Sequence, residues 1–192
     1  MKVGIYSGSF NPVHIGHIAL VDYIIEKGIV DEIWLIRSPQ NPLKASNTLL
    51  SDDHRATMLQ LAIEGHRCLK ISTIEDDLPK PNYTINTLRA LQDKNPDTEF
   101  HLIIGADNWD IFDKWRDWES ILADYHLIIY PRPGSTSPVV DKAKYPNVQV
   151  VDAPQYNISS TEIRERRAKR QTIKHLVSPK VDQYIKTNKL YK

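Results

Sequence analysis

Short apolar segments alternate with helical patterns along the chain, and this alternation constrains the fold more than any other feature of the sequence. The apolar segments have the length and content of buried strands: Val3–Tyr6, Glu32–Arg37, Leu69–Ile74, Glu99–Ile104, His126–Tyr130 and Val148–Val151. Patterns with a period near 3.6 separate them, as between about His14 and Lys27. Strands that alternate with helices predict a parallel sheet covered on both faces. We therefore expect an α/β fold, a doubly wound parallel sheet of five to six strands with helices on both faces.

The composition is that of an ordinary soluble chain of 192 residues, with 41% hydrophobic and 26% charged residues. This length suits a single domain, in which residues 159–192 form a C-terminal helical part. The net charge of +1 argues against general nucleic-acid binding, which needs a strongly basic surface. No apolar run approaches the ~20 residues of a membrane helix, and the N-terminus lacks the apolar stretch of a signal peptide. We expect a cytoplasmic protein with no membrane or nucleic-acid partner, and a homo-oligomer stays open.

The junction of the first strand and the first helix carries residues that suit a polyphosphate. Gly8 and Ser9 allow a sharp turn with exposed N–H groups, and the following helix points its positive end at the same place. His14 and His17 are three residues apart, so they share a face of the first helical turn. Gly16 between them leaves room for a ligand to approach the backbone. We expect these groups to bind phosphate and to donate hydrogen bonds to oxygens that gain charge as a phosphoryl bond breaks.

Two histidines at this spacing have alternative interpretations. They could be surface or helix-capping residues, or part of a zinc site. A zinc site needs a third ligand, and the sequence offers no cluster of Cys or His at a suitable spacing. The single cysteine, Cys68, also excludes a disulfide within the chain. We expect no metal to be ligated directly by the protein.

The ten residues from Gly8 to His17 (GSFNPVHIGH) resemble the G-x-F-x-P-x-H-x-G-H signature of the nucleotidyltransferase superfamily, whose fold is Rossmann-like. Residues 14–17 also match the H-I-G-H tetrapeptide of class I aminoacyl-tRNA synthetases. Those enzymes are far longer and carry a K-M-S-K-S loop that is absent here. The resemblance implies ATP binding by Gly8, Ser9 and Phe10 besides the two histidines, with Ser9 and Phe10 also facing the second substrate. Asn11 replaces the usual Asp of the signature.

Two further segments resemble the bacterial nicotinate-nucleotide adenylyltransferases, a resemblance that covers nearly the whole chain. Residues 39–44 (PQNPLK) match a Pro-rich loop whose lysine contacts phosphate, which implies that role for Lys44, although Leu43 replaces a histidine. Residues 82–88 (NYTINTL) match the segment that holds the pyridine carboxylate or amide, which implies that role for Tyr83 and Thr84. Asn86 replaces the family's Asp. The alternatives are a solvated loop lysine and a plain helix cap.

Segments after the fourth and fifth strands extend the same resemblance. Residues 103–108 (IIGADN) match the family's adenosine site, which implies close approach at Gly105 and acceptance of ribose hydroxyls by Asp107. An Asp in this position is also a common helix N-cap. Residues 114–116 (KWR) match the segment whose Trp stacks on the nicotinate ring, and a cationic pyridinium favours an indole face. We assign that role to Trp115 rather than to Trp109 or Trp118. Arg132, in the loop after the fifth strand, is also expected to bind the substrate.

Residues 158–164 (ISSTEIR) resemble the family's I-S-S-T-x-I-R motif and predict a second helix that begins with an anion site. The ATP-binding residues implied here are Ile158, Ser159, Ser160, Thr161 and Arg164. Arg164 lies four residues after Ser160, so the two side chains share a face and the guanidinium is expected to reach the β and γ phosphates. The basic residues that follow Arg164 are interpreted as a solvated face, with contact to a nucleic acid as the alternative.

Together these motifs imply adenylyl transfer from ATP to nicotinate mononucleotide, which gives deamido-NAD and pyrophosphate. His14, His17, Lys44 and Arg164 are the expected catalytic residues, and Mg²⁺ is expected to be bound through the ATP phosphates. A related enzyme for nicotinamide mononucleotide, phosphopantetheine or glycerol phosphate stays open, as does a non-catalytic nucleotide sensor. An RNA-binding module depends on the basic helix alone. The sequence does not decide between the acid and the amide form of the pyridine.

Overall fold

The computed structural model describes residues 1–38, 49–134 and 138–192. Lys44 lies outside the described residues, so its role stays a prediction. Six strands are present: β1 (Lys2–Gly8), β2 (Glu32–Arg37), β3 (Leu69–Ser72), β4 (Glu99–Gly105), β5 (His126–Tyr130) and β6 (Val148–Val150). The α-helices are α1 (Ile15–Glu26), α2 (Asp52–Ile63), α3 (Thr84–Lys94), α4 (Ala106–Trp109), α5 (Trp118–Asp124), α6 (Ser160–Ala168) and α7 (Pro179–Thr187).

All six strands form one parallel sheet with the order β3-β2-β1-β4-β5-β6. This is the doubly wound Rossmann order, and the direction of winding reverses between β1 and β4. The register pairs Ile5 of β1 with Trp34 of β2 on one side and with Leu102 of β4 on the other. The predicted fold class is confirmed.

Each face of the sheet buries its own hydrophobic core. On one face, Ile103 and Ile128 pack with apolar residues of α1, α2, α6 and α7. On the other face, Leu102 and Ile129 pack with residues of α3 and α5. Neighbouring residues of one strand enter opposite cores because side chains alternate along a strand. This is why the strands are near-continuous apolar runs in the sequence.

The predicted third strand, Leu69–Ile74, ends too late. The strand stops at Ser72, which pairs with Ile36, one residue before β2 ends at Arg37. Beyond that point β3 has little partner strand left, and residues Ile74–Asp77 form a short 3₁₀ helix instead. The predicted bounds of β2 and β5 are confirmed, and those of β1, β4 and β6 differ by one or two residues, which is the usual scatter at element ends.

The last two helices each begin at a serine cap. Ser178 caps α7 by accepting the N–H of Val181, and Pro179 follows in the first turn. Ser159 caps α6 by accepting the N–H of Glu162. The Glu162 carboxylate binds Arg166 one turn further along, at 2.8 Å, rather than completing a reciprocal capping box with Ser159.

In the described parts of the chain, no helix has both the length and the apolar character needed to cross a bilayer.

Candidate active site

The candidate site lies at the carboxyl ends of β1, β4 and β5, beside the point where the sheet reverses its winding. Open α/β sheets form a ligand crevice at this point because the loops of the two halves diverge there. The loop after β1 leads into α1, Asp107 follows β4, and Arg132 follows β5. Three segments that are far apart in the sequence therefore meet at one edge of the sheet.

His14 and His17 stack on each other, with ring centroids 3.6 Å apart and an angle of 25° between the planes. The backbone N–H of His14 donates to Nδ1 of His17 at 3.1 Å. An accepting Nδ1 places the proton of neutral His17 on Nε2, since a ring nitrogen that accepts carries no hydrogen. The geometry therefore presents His17 as an Nε2–H donor.

His14 is the residue before α1 and is only 8% exposed. Burial, reinforced by the nearby Arg132 charge, lowers the pKa of His14 to about 4. Its imidazole is therefore neutral at pH 7. The ring makes a capping contact with the backbone N–H of His17 in the first turn of α1, and its buried Nδ1 has no other partner among the described residues.

The glycine between the two histidines serves packing inside the protein. A Cβ at Gly16 would lie 3.2 Å from Nδ1 of His14 and 3.2 Å from Cβ of Tyr156. The sequence interpretation gave this space to an approaching ligand. In the structure the His14 ring and Tyr156 fill it, so Gly16 is needed to let the His14 ring lie over the start of the helix.

Phe10 packs against His17 from the interior of the protein. Its side chain is 2% exposed, and its ring meets His17 edge to face at a centroid distance of 5.2 Å. Its φ of 42° is left-handed, which is costly for a residue with a side chain. A Cβ at Gly8 would lie 3.1 Å from this ring. Phe10 can therefore face ATP or the second substrate only through its backbone, whereas its ring fixes the position of His17.

Helix α6 docks its first turn against the loop after β1. The Ser160 hydroxyl donates to the carbonyl of Pro12 at 2.8 Å. Arg164 donates from Nη1 to the carbonyl of Asn11 at 2.9 Å and from Nη2 to the Thr161 hydroxyl at 3.1 Å. The two phosphate motifs are thus adjacent. The sequence interpretation placed the Arg164 guanidinium on the β and γ phosphates of ATP. In the structure it donates hydrogen bonds to these two protein oxygens, so contact with ATP would require it to share or break those bonds.

A chain of polar contacts connects the loops after β4 and β5. Nε of Arg132 lies 3.3 Å from Oδ1 of Asp107, and Nη2 donates to the Tyr130 hydroxyl at 3.0 Å. The Tyr130 and Tyr6 hydroxyls are 3.3 Å apart. Burial, and then the Tyr130 contact, raises the pKa of Tyr6 well above its usual value. The phenol of Tyr6 therefore stays protonated, and the contacts between Tyr6, Tyr130 and Arg132 persist at physiological pH.

Gly105 makes room for the ion pair between Asp107 and Arg132. A Cβ at this position would lie 2.4 Å from Oδ1 of Asp107 and 2.7 Å from Nε of Arg132. The sequence interpretation reserved this space for adenosine. In the structure the ion pair occupies it, and both side chains are about half exposed.

The residues expected to contact the pyridine belong to two segments that are in contact with each other. Thr84 is the first residue of α3, and Tyr83 precedes it. The Arg116 guanidinium lies over the Tyr83 ring, 4.8 Å from its centroid, which joins the α3 N-terminus to the segment of Trp115. Trp115 packs one side on Phe112 at 5.1 Å and stays partly exposed.

The three competing tryptophans are all half-buried against the same core and differ in their neighbours. Trp109 is held by Phe112 at 5.6 Å and, edge to face, by Tyr145 at 5.7 Å. Trp118 begins α5 and packs on the core of that face. Trp115 is the one whose segment adjoins Tyr83.

Sequence reasoning missed the buried cation that supports this site. Arg55 of α2 is fully buried. Its Nη1 donates to the carbonyls of Ser9 at 2.7 Å and Ser38 at 2.8 Å, and its Nε donates to that of Leu50. It also pairs with Asp52, whose other oxygen lies 2.8 Å from Arg37. The only signal in the sequence is that Arg55 falls on the apolar face of α2. Arginine is rarely fully buried, so the residue type alone predicts an exposed side chain.

Comparison with known proteins gives three findings. Residues 5–166 match the cytidylyltransferase-like family. The chain is 46% identical to a Bacteroides fragilis protein named "Probable nicotinate-nucleotide adenylyltransferase", over 94% of this chain and 89% of that one. It is 42% identical to the Flavobacterium johnsoniae protein of the same name, over 100% of both.

Among solved structures, the Plasmodium falciparum nicotinic acid mononucleotide adenylyltransferase complexed with NaAD has a TM-score of 0.81 at 22% identity and covers 99% of this chain and 97% of its own. The same protein complexed with APC has a TM-score of 0.80 at 22% identity and covers 99% and 96%. At this identity the likeness concerns the fold.

Proposed function

The chain belongs to the cytidylyltransferase-like family and to the nicotinate-nucleotide adenylyltransferases, and on that premise we propose that it transfers the adenylyl group of ATP to nicotinate mononucleotide. The products are deamido-NAD and pyrophosphate. The observation that carries the proposal is the stacked His14–His17 pair at the end of β1, with the first turn of α6 docked against the same loop.

The chemistry is an in-line displacement at phosphorus. A 5′-phosphate oxygen of nicotinate mononucleotide attacks the α-phosphorus of ATP and forms the new P–O bond. The bond to the bridging oxygen of the β-phosphate breaks, and pyrophosphate leaves with that electron pair. No protein nucleophile is needed, so catalysis consists of positioning and stabilisation of charge.

His17 is the group best prepared to stabilise the transition state. Its Nε2–H is fixed by the hydrogen bond at Nδ1, so it donates without a change of tautomer as charge grows on the α-phosphate oxygens. His14 is neutral at pH 7 and contributes a second imidazole against the triphosphate. The N–H groups of the loop that holds Gly8 and Ser9 and the positive end of α1 complete the anion site.

The two nucleotides are held on either side of this centre. Lys44 and Arg164 bind the triphosphate and the leaving pyrophosphate, and Asp107 accepts from the ribose of ATP. On the other side, Thr84 and the first turn of α3 bind the pyridine carboxylate, and Trp115 stacks on the ring. Arg132, between the two, adds positive charge near the phosphate of the mononucleotide.

Mg²⁺ enters with ATP as part of the substrate, bound to phosphate oxygens. The groups around His14 and His17 are imidazoles, a guanidinium and N–H donors, which bind phosphate rather than a hard cation. The protein acts as a single domain of residues 1–192 in the cytoplasm, with small-molecule partners and no nucleic-acid or membrane partner.

Pyrophosphate release tests this function. The enzyme is given ATP and Mg²⁺ with nicotinate mononucleotide, with nicotinamide mononucleotide and with phosphopantetheine in parallel. Release with the acid well above release with the amide is the expected result. Equal rates with both would contradict the proposed preference, and ATP binding without release in all three would make the protein a nucleotide sensor.

A further inference from the structure

A second cluster of reactive side chains lies at the amino ends of β4 and β5, whereas the candidate active site lies at the carboxyl ends of the strands. Glu99 and His101 are two residues apart on β4, so their side chains point to the same face. His126, the first residue of β5, is the register partner of His101. A strand period of two and a parallel register thus bring three possible ligands to one point, although the sequence shows only a lone E-x-H and a single His.

The donor atoms of these residues are close enough to share one ion. Nε2 of His101 lies 2.7 Å from Oε1 of Glu99, and Nε2 of His126 lies 3.6 Å from the same oxygen. All three ligand atoms lie within 4.8 Å of one another. A tetrahedral ion at about 2.0–2.1 Å from each donor separates the donors by about 3.3 Å, which small side-chain movements would reach.

Other features of the cluster suit a bound cation. The two imidazoles stack at 4.6 Å with an angle of 19°, so both can turn an edge nitrogen toward Glu99. A neutral imidazole offers the lone pair that a metal requires. A small cavity adjoins the histidines and is also lined by Gln149, which leaves space for water as a further ligand. Lys2, whose charge lowers the pKa of both Glu99 and His101, opposes a divalent ion.

We propose that Glu99, His101 and His126 bind one divalent transition-metal ion, of which Zn²⁺ is the best match. Two imidazoles and one carboxylate are a ligand set that zinc accepts with water in the remaining position. Coordination uses the Nε2 lone pair of His101, so the ring proton lies on Nδ1, and the ion takes the place of the hydrogen bond between His101 and Glu99. It would join β4 to β5, the two strands whose far ends lead to Asp107 and Arg132, so its role is to stabilise the sheet. The proposal does not depend on the proposed reaction.

The test is zinc binding by the full chain, purified with a tag that has no histidines and then stripped of metal. Titration calorimetry is expected to give one equivalent of Zn²⁺, and the melting temperature is expected to rise by about 5 to 10 °C at a hundredfold excess over the dissociation constant. Glu99→Gln and His126→Ala should each weaken binding at least about tenfold. Both side chains are more than 40% exposed, so these variants should fold.

Two control variants distinguish this site from other histidines. The double variant His14→Ala/His17→Ala and the variant His66→Ala should keep the equivalent of zinc and the rise in melting temperature. Loss of zinc in the double variant would move the ion to the candidate active site and overturn the proposal. Full binding by His126→Ala or Glu99→Gln, or no stoichiometric binding by the wild type, would overturn it as well.

Discussion

The hydroxyl of Tyr191 donates a hydrogen bond to Oδ1 of Asn11 at 2.9 Å, although the two residues are 180 positions apart in the chain. The same amide oxygen accepts the N–H of Leu50 at 3.3 Å, and the backbone carbonyl of Asn11 accepts from Arg164. The loop between β1 and α1 is therefore held by the C-terminal part of the protein. Both of these side-chain contacts are accepted by Oδ1 of Asn11, so an Asp at this position could accept them as well.

Tyr191→Phe should loosen this loop without leaving a buried charge. The loss of one hydrogen bond is expected to lower the free energy of unfolding by about 1 kcal/mol and kcat/KM several-fold, since His14 follows in the same loop. Urea titration and pyrophosphate release measure the two effects. Tyr23→Phe on α1 is the matched control and should change neither, and an unchanged kcat/KM in Tyr191→Phe would show that the loop does not depend on this contact.

His17→Ala should act on the chemical step. Removal of one fixed donor to a developing charge costs about 10²–10³ in kcat, whereas the remaining N–H groups and cations still bind ATP. We therefore expect kcat to fall by that factor, with a KM for ATP within a few-fold of wild type. His66→Ala removes a histidine whose partner is Asp22 and serves as control. An unchanged kcat in His17→Ala would remove His17 from the mechanism.

Acid should destabilise the protein through His14. Its pKa is about 4 when folded, against 6.5 as the ordinary value, so between those values the unfolded chain binds a proton that the folded protein excludes. Stability then falls as pH falls. Between pH 7 and pH 5 the loss from this residue is about 2 kcal/mol. Urea titration of His14→Gln should show a correspondingly flatter dependence on pH. A dependence as steep as that of the wild type would mean that His14 is already charged near pH 6.

Gly105→Ala should impair ATP use while sparing stability. The new Cβ would collide with Oδ1 of Asp107 and Nε of Arg132, and both side chains are exposed enough to move away. We expect the melting temperature to change by less than about 2 °C, since surface rearrangements cost little, and the KM for ATP to rise about tenfold as a good ribose contact is lost. Gly134→Ala, in an open loop with positive φ, is a control for the effect of an added methyl on activity. A KM equal to wild type in Gly105→Ala would separate Asp107 from ATP.

Arg55→Met should be the most destabilising of these changes. Methionine fills much of the same space with an apolar side chain, but it leaves the carbonyls of Ser9 and Ser38 without their buried donor. The expected loss in the free energy of unfolding is about 3–5 kcal/mol, because each buried carbonyl left without its donor costs about 1–3 kcal/mol. Arg89→Met removes a half-exposed partner of Asp117 and should cost less than about 1 kcal/mol. A loss of that small size for Arg55→Met would mean that the loop after β1 is held by its other contacts.

The sequence predicted the sheet because its strands are apolar on both faces. Short, nearly continuous apolar runs that alternate with helical patterns fit few structures other than a buried parallel sheet. It also identified the His14–His17 pair, since three-residue spacing at a helix start fixes a shared face. It did not predict what surrounds them. The partners of Arg55, Arg164 and Gly105 come from segments distant in the sequence, and only the folded chain shows that protein atoms occupy space assigned to ligands. The Glu99–His101–His126 cluster was missed for the same reason, because it depends on the register of two strands.

The hydrogen bond from the His14 N–H to Nδ1 of His17 has a consequence for mutational scans of this protein. In many enzymes the residue that orients a catalytic histidine is a carboxylate, and its loss by mutation is easily detected. Here the orienting group belongs to the main chain, so every amino acid except proline at position 14 supplies it. A scan would therefore find the reactive ring but no second residue whose side chain makes this hydrogen bond, and the bond would survive most exchanges of the side chain at position 14.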